Sequence, residues 1–189
     1  MVTALTKEVQ QARTALSEYN FSEADAAFNK LQKTAQLPEQ KAKIERLHKA
    51  AELAKRFRKA VEQTIATLDA GSEIKLSSVT VISVVETGPN KIILREQGKN
   101  NTYTFSDLKM GVALKLGEMS LPSDADARLA KGAYVFFDKR TDVSETTKKD
   151  KAKKVEALWK EAELMGADTT DLMKVLSDTY DFEKDAPKT

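Results

Sequence analysis

The chain has 189 residues, with 31 Lys and Arg against 29 Asp and Glu, one His and no Cys, for a formal net charge of +2. Its 41% hydrophobic and 32% charged residues point to a soluble folded protein, and the longest apolar run, residues 133–137, is far below the ~18 residues a membrane span requires. The missing Cys excludes disulfides, thiolate zinc sites, iron–sulfur ligation and Cys nucleophiles, and a single His excludes a multi-histidine metal site.

Residues 3–70 read as helices. Val9, Ala12, Leu16 and Tyr19 recur at helical spacing, Asn20-Phe21-Ser22 breaks the pattern, and Ser22 is the expected cap of a second helix with Asp25 three residues on. Ala24, Ala27, Phe28 and Leu31 form that helix's apolar face, which ends before Pro38. A third segment over 39–70 carries Ile44, Leu47, Ala51, Ala54, Phe57, Val61, Ile65 and Leu68 at three- to four-residue spacing, with Gly71 as its stop. It reads as one domain-spanning helix or a kinked pair.

From Ser72 the period changes to two. Expected strands cover 74–76, 79–85, 91–96 and 102–105, with turns at Gly88-Pro89-Asn90 and Gly98-Lys99-Asn100-Asn101. A meander this small cannot bury both faces alone and needs the helices as its cover. Ser106 then reads as the cap of a helix bearing Leu108, Val112, Leu116 and Met119. Ser123 and Asp126 open the next, with Leu129, Ala133, Phe136 and Phe137. Residues 141–154 are polar and Lys-rich and read as containing a mobile loop. Val155, Leu158, Trp159, Ala162 and Met165 form a further helix, and Asp168 or Thr169 caps a last one with Leu172, Val175 and Leu176. The tail 183–189 reads as disordered.

Charge is uneven along the chain. Residues 39–60 hold eight basic and three acidic residues, 139–154 seven and three, and 156–189 four and nine. Solvated helix faces with i,i+4 pairs such as Glu45 and Lys49 are the expected explanation. The first residues lack a basic region followed by an apolar one, so no signal peptide is expected. A cytoplasmic protein and a mature exported one both fit.

The stretch 12–28, Ala-Arg-Thr-Ala-Leu-Ser-Glu-Tyr-Asn-Phe-Ser-Glu-Ala-Asp-Ala-Ala-Phe, resembles one tetratricopeptide repeat. Ala12 and Ala15 match the small residues of the first helix, Phe21 the aromatic after the turn, and Ala24 and Phe28 the second-helix packing positions. Gly132 with Val155, Trp159 and Ala162 resembles a second, weaker copy. The strand region resembles a small SH3-like β-barrel, and the order of parts is similar to uncharacterised bacterial proteins in which helical hairpins flank such a barrel. The resemblance implies a protein or peptide partner, taken in a groove on the concave face of the helical hairpins.

Motifs for chemistry are absent. There is no phosphate-cradling Gly-rich loop and no nucleophile-elbow Ser. His48, among Arg46, Lys49 and Glu52, reads as a surface or boundary residue. Asp124, Asp126, Asp168 and Asp171 read as helix N-terminal charge, because the Gly and distal Glu of a calcium loop are missing. Trp159 reads as core. No catalytic, cofactor-binding or metal-binding residue is assigned, and no cofactor is expected.

The basic residues Lys55, Arg56, Arg58 and Lys59 around Phe57 are the candidate partner or nucleic-acid contacts, with Tyr103 and Phe105 as stacking surfaces. Helical periodicity places them, with Lys41, Arg46 and Lys49, on a solvated arc opposite the apolar one. The expected architecture is α+β, comprising a helical region over 1–71, a small antiparallel, barrel-like sheet over 72–105 and helices over 106–182. The expected function is a non-enzymatic interaction or scaffold module with a protein or peptide partner of unknown identity. The alternative is a small-barrel protein binding nucleic acid through the basic helix. Nucleic acid is not the expected partner.

Overall fold

In the computed structural model, which describes residues 4–140, 142 and 144–182, the N-terminal pattern forms α1 (Ala4–Ser17), α2 (Phe21–Thr34) and α3 (Pro38–Ala66). Tyr19 adopts a left-handed φ of 56°, which turns the chain between α1 and α2 in three residues. Asn20, not Ser22, caps α2. Its side chain accepts from the Glu23 N–H at 3.3 Å while its amide donates to the Glu23 carboxylate at 2.9 Å. Gln40 caps α3 by accepting from the N–H groups of Gln36 and Leu37. The third segment is one unbroken helix of 29 residues, roughly 44 Å long at ~1.5 Å per residue.

Such length needs support from neighbours. α3 touches α2, β2 (Val81–Gly88), α4 (Met110–Ser120), α5 (Ala125–Phe137) and α7 (Thr170–Val175). Burial therefore extends around much of its circumference and includes Lys43 and Arg58 beside Ile44, Leu47, Phe57 and Val61. Its i,i+4 pairs include Glu39 with Lys43, His48 with Glu52 and Arg58 with Glu62. The helix ends at Ala66, and Gly71, at φ +91°, serves the turn into the sheet.

The sheet is an antiparallel meander in the order β1 (Glu73–Lys75), β2, β3 (Lys91–Glu96), β4 (Lys99–Thr104). It is open, with β1 and β4 at its edges, so the expected barrel character reduces to a curled four-stranded layer. Ile74, Ile82, Val84, Ile92 and Leu94 form its buried face. A bulge at Val85 shifts the β2–β3 register between Val84 and Glu86. The β3–β4 turn is Gln97-Gly98, with φ of 50° and 80°, the conformation a two-residue hairpin needs to match strand twist. Residues 99–101, expected as turn, are therefore the first half of β4. Val79 lies outside the strands and is 89% exposed.

Expected helices again appear with other caps. α4 begins at Met110, so Ser106 is not its cap, and Met119 is exposed on it. Asp124 caps α5, accepting from the Ala127 N–H at 2.8 Å. Ser144 and Thr147 form a reciprocal box that opens α6 (Glu145–Leu164), so the helix expected from Val155 begins ten residues earlier, inside the polar stretch. Met165, expected on the apolar stripe, is the half-exposed C-cap. Thr169 is the N-cap of α7, and Asp168 accepts from the Thr170 N–H at 3.0 Å. The tail 183–189 lies outside the described residues.

Trp159 is fully buried and donates through Nε1 to the Leu129 carbonyl at 3.2 Å. Gly132 makes this α5–α6 crossing possible, since an added Cβ would overlap the indole. Gly117 plays the same part between α4 and the Phe57 ring. One cluster of buried residues runs from α1 to residue 182 and takes in the sheet's inner face, joining the three expected regions through a common core. The molecule is α+β. No helix among the described residues is long and apolar enough to cross a membrane.

Candidate functional site

The basic residues singled out on α3 divide into three fates. Lys55 is tied to Asp25 of α2 at 2.6 Å and lies 3.6 Å from Glu52. Arg56 reaches Asp126 at the start of α5, at 3.0 Å. Arg58 is buried. It pairs with Glu62 at 2.7 Å, donates to the Phe105 carbonyl and lies over the rings of Tyr19 and Phe105. Only Lys59 of the four is exposed with no ion pair among the described residues. Arg46, expected on the solvated arc, forms a bidentate pair with Asp178 at 2.8 and 2.9 Å, both side chains largely buried. Much of the basic arc is thus anchorage between elements.

Beneath α5 lies an aromatic and polar knot. The Tyr19 and Tyr134 rings stack at 4.6 Å with 13° between planes, and Phe57 packs on Tyr134 at 4.9 Å. Arg140 lies 5.9 Å from the Tyr19 ring centre, donates to the Leu108 carbonyl and clasps the buried Asp138 carboxylate at 2.8 and 3.2 Å. Lys151 of α6 donates to the Asp138 carbonyl at 2.8 Å. Burial pushes the Tyr19 phenol far up, the neighbouring Tyr134 phenol and Asp138 add to this, and Arg140 opposes it. Burial raises Tyr134 too, against the pull of Arg58, Tyr19 and Arg140. The knot fixes the C-terminal turn of α5.

That turn is the floor of a groove of about 680 Å³ whose walls are α1 and α6. Its apolar lining is the half-buried Phe136, backed by the buried Phe137 and Val155, together with Leu176. Arg13, Lys139, Lys148 and Lys151 supply cations around it, against the single lining carboxylate of Asp142. Lys139 and Lys148 pair with the exposed carboxylates of Glu18 at 2.6 Å and Glu145 at 2.8 Å, and Lys151 with Asp142 itself at 2.5 Å. Arg13 lies over the Tyr180 ring. The volume falls within the range of binding clefts.

A second polar cluster sits at the rim of the sheet. The Glu96 carboxylate receives hydrogen bonds from Lys109 at 2.5 Å, Tyr103 at 3.0 Å and Asn101 at 3.2 Å, beside a recess of about 420 Å³. Burial alone would raise this carboxyl, but the three donors outweigh it and hold the group below the usual carboxylate range. Tyr103 and Phe105 are partly buried, and Lys109 and Arg58 lie over their rings at 5.7 and 5.6 Å from the centres.

The groove was visible in sequence only as the basic run 139–154. Its walls come from segments more than a hundred residues apart, and Phe136 and Phe137 read there simply as core. His48 is half-buried against Phe28, with ring centres 4.7 Å apart. No family model, curated protein or solved structure matches this chain.

Proposed function

We propose that the protein is a non-enzymatic interaction module that takes an acidic, amphipathic peptide segment in the groove between α1 and α6. The observation that carries this reading is the Phe136–Phe137 floor beside four cations, of which Arg13 lies over the Tyr180 ring while Lys139, Lys148 and Lys151 are held by the carboxylates of Glu18, Glu145 and Asp142. An apolar side chain of the peptide would cover the phenylalanines while its carboxylates replace Glu18 and Glu145 as partners of Lys139 and Lys148. Exposed ion pairs are worth little individually, so their exchange costs little. The tetratricopeptide-like hairpin of α1 and α2 is in keeping with such a role. The burial of Arg58, tied to Glu62 and the Phe105 carbonyl, weighs against nucleic-acid binding through α3.

The test is fluorescence anisotropy with a labelled peptide carrying Leu or Phe at i, i+4 and i+7 and Glu on both flanks. Wild-type protein binds it at micromolar concentrations in physiological salt. The K139E/K148E double variant melts as wild type and loses at least about tenfold in affinity, or ~1.4 kcal/mol. Affinity unchanged in that variant excludes the groove. Tighter binding of a single-stranded oligonucleotide than of the peptide replaces the proposed partner class.

A further inference from the structure

We propose that Asp25, His48 and Glu52 form a binding site for a divalent transition-metal ion of the zinc class, bridging α2 and α3. His48 and Glu52 stand one turn apart on α3, the i,i+4 spacing that puts two side chains on one helix face. Their Nε2 and Oε1 atoms are 3.8 Å apart. Asp25 comes from α2, and one ligand atom from each of the three residues lies within 4.8 Å of the others. Zinc bonds of ~2.0–2.2 Å put tetrahedral ligands roughly 3.3–3.5 Å apart, so closure by about an ångström completes the set. Glu52, whose side chain is 53% exposed, has the freedom to supply it. The imidazole is held by Phe28, with ring centres 4.7 Å apart, which fixes one ligand before the ion arrives.

One imidazole nitrogen and two carboxylates suit zinc, cobalt or nickel better than calcium or magnesium, which call for more oxygen ligands or an octahedral water shell. A fourth position is left to water, as in three-ligand zinc sites. The pattern also has a second mark. The Lys55 ammonium sits 2.6 Å from Asp25 and 3.6 Å from Glu52, so the chain's own cation already bridges the two carboxylates. A metal ion must displace it. Lys55 is thus a competitor whose removal tightens binding, and dependence on the His48 imidazole is what separates the site from nonspecific carboxylate binding.

The experiment is calorimetric titration of the untagged protein with ZnCl2, with Co²⁺ absorbance as a spectroscopic check on nitrogen ligation. Wild type binds one ion. H48A and D25N each weaken binding at least tenfold while keeping the wild-type melting profile without metal, and K55M tightens it. Should H48A fold poorly, D25N and K55M carry the comparison. Zinc also raises the wild-type melting temperature, since a ligand of the native state stabilises it. No saturable binding in either wild type or K55M overturns the site, as does an affinity that the His48 and Asp25 substitutions leave unchanged. Groove variants such as K139E/K148E leave the metal affinity intact, so this inference stands or falls apart from the peptide-binding one.

Discussion

Individual side chains carry the interior's chemistry through burial. Tyr19, Tyr134 and Tyr180 are all buried, and burial is the first cause raising each phenol. In the unfolded chain a phenol titrates near pH ~10. A folded-state value above that means the native protein holds its protons longer, so this stabilisation is complete below pH ~10 and is lost as pH rises beyond it. In alkaline titration followed at 295 nm, at most one of the four tyrosines ionises before the far-ultraviolet circular dichroism collapses, and the others ionise with unfolding. Three phenolates appearing while the helical signal stays intact would contradict the burial. Residue-level reading of the sequence went wrong mainly at caps. Ser22, Ser106 and Ser123 are good capping residues, but Asn20 and Asp124 take the role beside two of them, and α4 starts without a side-chain cap. Several polar residues cluster at each helix start, and which one caps depends on how the preceding turn enters the packed body.

Elements were legible where one period persisted. α3, the second half of α6 and the strands follow apolar spacing that the core then uses. The β3–β4 turn was misplaced because Gln97 takes a left-handed φ that its residue type does not signal. The sidedness of α3 was misread for a different reason: an arc that looks solvated on an isolated helix is covered when other helices pack on it. Arg46 meets Asp178 132 residues away and Arg56 meets Asp126 70 residues away, separations that carry no local signal. The Arg46–Asp178 pair anchors the segment after α7 to α3. Removing one partner leaves a largely buried charge, so R46A costs about 2–3 kcal/mol in urea unfolding. Replacing both with apolar residues, as R46M/D178L, recovers most of the loss. A double variant as unstable as R46A would mean that the pair is more than a local tie.

Across the whole molecule, the charge map of the sequence and that of the surface differ. The basic run 39–60 is largely consumed by Asp25, Asp126, Glu62 and Asp178. The acidic C-terminal stretch 156–189 supplies one of those partners, Asp178, and its Glu161 reaches Arg128 at 3.3 Å. The run 139–154 contributes Lys139, Lys148 and Lys151 to the groove, each beside a carboxylate, Glu18, Glu145 or Asp142. Composition could show that the charges nearly cancel. It could not show which cations cancel inside the fold and which border a cleft. The assignment of function to the groove rests on that sorting, and backbone amide NMR tests it most directly. Titrating the acidic amphipathic peptide into ¹⁵N-labelled protein is expected to move resonances of α1 around Arg13, of residues 136–139 and of the first turns of α6, leaving the β-sheet and the Lys55–Lys59 face of α3 unmoved. Shifts centred on α3 or on the sheet, or none at millimolar peptide, would contradict the account.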